Sequence, residues 1–191
     1  MRHGLCNARG PESIVRNIRK DDGFTLIDML FVCGLIGILS VIALPGLLMA
    51  KEAAGSASAI GSLRAINSGE LTYALTCGGG FYAPDLTTLG MAPAGSNEAY
   101  LSPNLTTGNV VQKAGYTIQL QGTAYGGSPA TCNGLAPGVT AQGFKAGADP
   151  ASLQNPRFFA TNANGQLYEN NATMYAATPE LGEPAIGHVL H

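Results

Sequence analysis

The chain is expected to be an α+β protein in which one long N-terminal helix packs on a small antiparallel sheet. Three features carry that expectation. Residues 29–50 run 22 positions without a charge, the length a helix needs to cross the hydrocarbon core of a bilayer. Residues 51–76 then repeat apolar side chains at helical spacing. Further on, short alternating and turn-bounded segments read as strands.

The apolar run opens just after Asp28, an acid that is costly at the mouth of a lipid-facing segment and calls for a partner. Pro45 followed by Gly46 predicts a kink or a local melting of the helix. Gly34 and Gly37 allow close approach of neighbouring helices. Beyond the run, Ala53, Ala57, Ile60, Leu63, Ile66, Leu71 and Ala74 form an apolar stripe, with Glu52, Ser56, Ser58, Arg64, Asn67 and Glu70 opposite. One helix from about Phe24 to Thr76 is therefore expected, and Gly78-Gly79-Gly80 ends it.

Residues 81–108 are rich in Pro, Gly, Asn and Thr and read as a long loop. Residues 115–121 alternate Tyr116, Ile118 and Leu120 with Thr117, Gln119 and Gln121, the pattern of a half-buried strand. Residues 122–138 are Gly/Pro-rich again. Residues 157–168 predict a hairpin: Phe158 to Thr161, a turn at Asn164-Gly165, then Gln166 to Tyr168. The tail after Asn170 reads as loop.

Composition narrows the function classes. Charged residues make up 12% of the 191, and there are 26 glycines. This describes a loop-rich head suited to packing on copies of itself, and not a charged disordered tail. Five basic residues (Arg2, Arg9, Arg16, Arg19, Lys20) and three acids precede Phe24, while five basic residues and nine acids follow Gly23. The basic flank is expected on the cytoplasmic side, with residues 51–191 delivered to the far side. There is no basic patch or aromatic platform for nucleic acid. Cys6 lies in the flank and Cys33 in the apolar run. Cys77 and Cys132 lie in the exported part, where an oxidising compartment favours their pairing over two free thiols.

Residues 23–50 closely resemble the N-terminal signature of type IV pilins and of type II secretion pseudopilins. The resemblance rests on Gly23, Phe24-Thr25-Leu26-Ile27, Asp28, the apolar helix and Pro45. More loosely, residues 82–90 (YAPDLTTLG) are similar to the short Tyr/Pro/Leu loop that follows the helix in major pseudopilins. The family resemblance implies a leader at 1–23, a transmembrane and polymerisation helix at 24–50, its amphipathic continuation at 51–76 and a globular head at 77–191 with a sheet of three to five strands. It implies cleavage after Gly23 by a prepilin peptidase and methylation of the Phe24 amine. It also implies residence in the bacterial inner membrane, and assembly with an inner-membrane platform into a helical homo-oligomer in the periplasm or at the cell surface. Asp28 would pair with the Phe24 amine of a neighbour, and Pro45 would be the flexible point. The family usually carries Glu at the position of Asp28, and its leaders often end in a basic residue, where this chain has Asp21-Asp22 after Arg19-Lys20.

Other groupings carry less. His188 and His191 supply two ligands on a tail, too few for a metal site. Asp149, Asn162, Asn164 and Glu169 could offer oxygens to calcium, but turn chemistry accounts for the asparagines. Gly78–Gly80 lacks the Lys-Ser/Thr of a phosphate loop. No nucleophile–base spacing is present. The expectation is a structural protein without cofactor or metal, and not an enzyme. A pilus subunit and a secretion pseudopilin are the two readings within the class. A membrane-anchored binding domain that never polymerises is the reading outside it.

Overall fold

The computed structural model describes residues 24–152 and 156–190. Residues 1–23, the stretch expected to be a leader, with His3, Cys6 and Gly23, and the terminal His191 lie outside the described residues. The fold is α+β: a long helix α1 (Leu26–Thr76), a one-turn helix α2 (Leu86–Leu89), and strands β1 (Val110–Lys113), β2 (Tyr116–Gln121), β3 (Lys145–Pro150), β4 (Phe158–Asn162), β5 (Leu167–Asn170) and β6 (His188–Val189). The chain divides after Leu44 into two units.

The first unit is the apolar part of α1, every side chain of which is exposed. The backbone stays helical through Pro45. Of the two expectations at Pro45, a kink or a local melting, the melting does not occur, because a proline deletes a single ladder bond and the flanking turns keep theirs.

In the second unit α1 buries Gly55, Ser56, Ala59, Ser62, Leu63, Ile66, Gly69, Glu70, Tyr73 and Ala74, at helical steps of three and four. This corrects the stripe drawn from hydropathy. Ala53, Ala57 and Leu71 face solvent, while Ser56 and Glu70, placed on the outer side, are buried. The reason is close approach and local bonding. A Cβ on Gly55 would lie 2.8 Å from the Ala114 carbonyl, and one on Gly69 3.0 Å from the Tyr100 carbonyl. Ser56 Oγ bonds the Tyr116 hydroxyl at 2.9 Å, and Lys113 Nζ donates to Ser62 Oγ at 3.2 Å. A face can be buried without being greasy when most of its polar groups find partners.

The helix ends where the glycines require it. Gly79 and Gly80 take φ of 61° and 93°, values that favour glycine. The Gly80 N–H returns to the Ala74 carbonyl at 2.9 Å. A methyl on Gly78 would overlap the Phe81 carbonyl. Gly78→Ala is expected to lower stability by about 2–3 kcal/mol. Gly61→Ala, exposed on α1 with nothing within 4 Å of its Cβ, is expected to raise it by about 0.5–1 kcal/mol. Thermal unfolding of both variants checks the opposite signs.

The sheet is a meander of six antiparallel strands in the order β1-β2-β3-β4-β5-β6, one more than the upper bound expected. In β2, Tyr116, Ile118 and Leu120 are buried as the alternation requires. Ala114 and Gly115, both at positive φ, make the two-residue turn from β1. The β4–β5 hairpin turns at residues 163–166, with Gly165 at φ 75°. The largest departure is β3, of sequence KAGADP, which shows no apolar alternation. Its faces are both covered: Ala146 and Ala148 join the core under α1, and Gly147 lies against Tyr175. The tail after Asn170 supplies that outer cover and is not a free loop. Met174 packs with Phe158, Ala160 and Tyr168, and Asn162 donates to the carbonyls of Pro179 and Gly182 at 3.0 and 2.6 Å. All five residues of β4 are buried in consequence.

Candidate functional site

Asp28 sits in the first turn of α1, three residues after Thr25. Its Oδ2 accepts from the Thr25 N–H at 3.2 Å and from the Thr25 hydroxyl at 2.5 Å. The Asp28 N–H in turn donates to Thr25 Oγ1 at 3.3 Å. This reciprocal pairing is a capping box, with Asp in place of the usual Glu or Gln. The T-x-x-D spacing was its signal in the sequence. The carboxylate also lies at the positive end of the helix. In the single chain Asp28 thus has a local partner and is exposed, as is Phe24 beside it.

From Leu26 to Met49 the large side chains are 43–82% exposed. Mean hydropathy reaches 2.5 in this stretch, and the helix is long and apolar enough to cross a membrane. Cys33 is an exposed free thiol within it.

At the other end of α1, Cys77 and Cys132 form a disulfide, with Cα atoms 4.9 Å apart. It ties the last turn of the helix to the 122–138 loop. The Cys132 carbonyl accepts from the Ala94 N–H at 3.3 Å, which draws a third segment to the same place. Tyr73 and Tyr100 meet edge to face nearby, their ring centroids 5.3 Å apart.

Glu70 is the residue that sequence reasoning missed. It is completely buried, and its Oε2 accepts from the Ala83 N–H at 2.8 Å. Among the described residues its Oε1 has no partner. Burial pushes its carboxyl well above the ordinary range, the Ala83 bond opposes this in part, and the Asp85 charge adds to it. The helical step linking Leu63, Ile66, Glu70 and Tyr73 was the available signal.

Glu70 holds the start of residues 82–90. There Asp85 caps α2 by accepting from the Thr88 N–H at 2.8 Å, and Leu86 and Leu89 are fully buried. Burial tends to raise the Asp85 carboxyl, but bonds from Thr87, Thr88 and Asn109 hold it below its ordinary value.

The calcium candidates do not converge. Asp149 accepts from Thr173 at 2.7 Å, and Asn162 is spent on the tail and on the Asn164 N–H. Asn164 accepts weakly from the Gly182 N–H at 3.4 Å. Glu169 forms a fork with Arg157 at 2.6 and 3.0 Å, which holds its carboxyl down. Among the described residues no three His, Cys, Asp or Glu side chains gather where an ion could sit. His188 is exposed on β6.

Compared with family models, with curated proteins and with solved structures, the chain finds no match.

Proposed function

We propose that this chain is a structural subunit of a type IV pilus-like filament, made as a prepilin, cleaved after Gly23, methylated at Phe24 and polymerised from the inner membrane. The observation that carries the reading is the junction at Gly23-Phe24 with Asp28 four residues on, leading straight into an exposed apolar helix. In a plain anchor the acid would serve only as the helix cap; the glycine-phenylalanine junction four residues before it is what the prepilin reading adds. The α+β head, with its helix end stapled at Cys77–Cys132, agrees with the architecture that the resemblance implies.

Cleavage would expose a new amine on Phe24. In the single chain Asp28 is held by Thr25. During assembly the amine of a neighbour would take over that carboxylate. A buried charge without a partner is strongly unfavourable, so a subunit would be retained only in register. Apolar surface leaving lipid would be covered again by other helices, which keeps the exchange near balance. The protein's role is then mechanical and not catalytic.

The resemblance of residues 82–90 supports a second reading, a pseudopilin of a type II secretion system. Intact mass of the native protein, taken from sheared surface fibres and from membranes, separates the two. A chain beginning at Phe24 with one added methyl in the fibre fraction is the expected result. The same mass confined to membranes favours the pseudopilin. A chain that keeps residues 1–23 sinks both and leaves a non-polymerising anchored domain. Asp28→Asn is expected to lower fibre yield severalfold with processing intact, and Asp28→Glu to restore it.

A further inference from the structure

At the start of the second unit, α1 and two loops of the sheet enclose an open cleft of about 330 Å³. Leu48, Lys51, Glu52 and Gly55 line it from the helix, facing Ala114 and Pro150. Leu48, Glu52 and Gly55 stack on one helical face, four and three residues apart. Gly55 lets the β1–β2 turn close on the helix, and the space is left beside that contact, toward Leu48. We propose that this cleft seats the headgroup of a zwitterionic phospholipid of the phosphoethanolamine class. The proposal rests on the anchored reading of α1 and goes beyond it.

Position is the first argument. The uncharged run ends at Ala50, and Lys51 and Glu52 are the first charges after Asp28. Twenty-two helical residues span about 33 Å, close to the thickness of a bilayer's hydrocarbon core. With residues 29–50 in lipid, the cleft lies at headgroup depth, where phospholipid is the most concentrated ligand. Leu48, which belongs to that uncharged run, lines the wall of the cleft.

Charge is the second argument. Lys51 and Glu52 are adjacent and opposite in sign, and among the described residues neither side chain forms an ion pair or a hydrogen bond with another group. A phosphate would meet the Lys51 ammonium, and a primary ammonium on the same headgroup would donate to Glu52. The glycerol and the first acyl carbons would rest on Leu48 and Pro150. A phosphoglycerol headgroup satisfies Lys51 but offers Glu52 only neutral hydroxyls in place of an ammonium, a weaker bond than a charge-assisted one. A quaternary ammonium has no N–H to give Glu52.

The test is native mass spectrometry of the full chain in detergent micelles with equimolar dioleoyl phosphatidylethanolamine, phosphatidylglycerol and phosphatidylcholine. Phosphatidylethanolamine is expected to be retained about threefold over the other two, the range of an exposed charge pair. Glu52→Gln is expected to bring it down to the phosphatidylglycerol level, and Lys51→Gln to weaken both. An intact Cys77–Cys132 disulfide and an unchanged circular dichroism spectrum show that the variants fold. Soluble glycerophosphoethanolamine is expected not to displace the lipid.

Equal retention of the three lipids overturns the proposal. So does a Glu52→Gln variant indistinguishable from the parent, displacement by the soluble headgroup, or a protein dimer that occupies the cleft and excludes lipid. Release of the chain from membranes by alkaline carbonate overturns the anchored reading as well. A retained chain without lipid preference overturns the cleft alone.

Discussion

Replacing Cys77 and Cys132 together by serine is expected to destabilise the head by about 4 kcal/mol, or roughly 10–15 °C in its unfolding temperature. The figure follows from loop length. The bond closes 55 residues of separation, and an unfolded chain without it regains the entropy of that loop. The backbone bonds that hold the segments gathered there are weak. The Cys132 N–H reaches the Cys77 carbonyl at 3.4 Å, and the Ala94 N–H reaches the Cys132 carbonyl at 3.3 Å; both bonds are long. Near-ultraviolet circular dichroism of the full chain in mild detergent, scanned with temperature, measures the shift. Reduction of the parent protein should reproduce it. A double-serine variant within about 1 kcal/mol of the parent would show that the bonds around the staple suffice without it.

The head is also expected to lose stability as pH rises above the ordinary carboxylate range, and Glu70→Gln to remove most of that loss. The sign follows from proton binding. Glu70 has its ordinary value at 4.5 and is pushed well above it in the fold. Between those two values the folded state holds a proton that the unfolded chain has released, so stability falls with pH. The full contribution is present below 4.5 and is lost as pH climbs through the raised value. The slope approaches at most about 1.4 kcal/mol per pH unit. Asp149, raised by burial against its Thr173 bond, adds in the same direction. Asp85 and Glu169 act oppositely, because their carboxyls are lowered and lose stabilisation on acidification. Glutamine keeps the carbonyl that the Ala83 N–H needs and carries no charge to strand. Unfolding temperatures of both proteins from pH 5 to pH 8 should diverge, with the variant flatter. Parallel curves would mean that Glu70 is reached by water and titrates normally.

The part of the fold that could be read from the chain is the part governed by local or periodic physics. Uncharged length placed the apolar half of α1, and three glycines placed its end. Alternation placed β2, and Asn164-Gly165 placed the β4–β5 turn. Each is a short-range signal: a period, a steric permission, a run length. The pairing of Cys77 with Cys132 was legible for another reason, since the expected topology put these two cysteines alone in the part read as exported. The capping box at Thr25 and Asp28 was written in the T-x-x-D spacing, a local signal like the others.

What only the tertiary structure decided is which side of α1 faces inward and how far the sheet extends. Hydropathy set Ser56 and Glu70 outside and Leu71 inside; packing reversed all three. The Ser56 hydroxyl meets a tyrosine hydroxyl at 2.9 Å and one oxygen of the Glu70 carboxyl meets a backbone N–H at 2.8 Å, partners 60 and 13 residues away that hydropathy does not reveal. Strand β3 was invisible because a strand covered on both faces needs small residues and not alternation, and its outer cover, from Met174 to Gly182, lies beyond β5 in the chain. The sequence by itself determined the elements whose cause is local. The buried polar face, the two-sided sheet and its sixth strand depend on contacts between distant residues, and exist only once the chain has closed on itself.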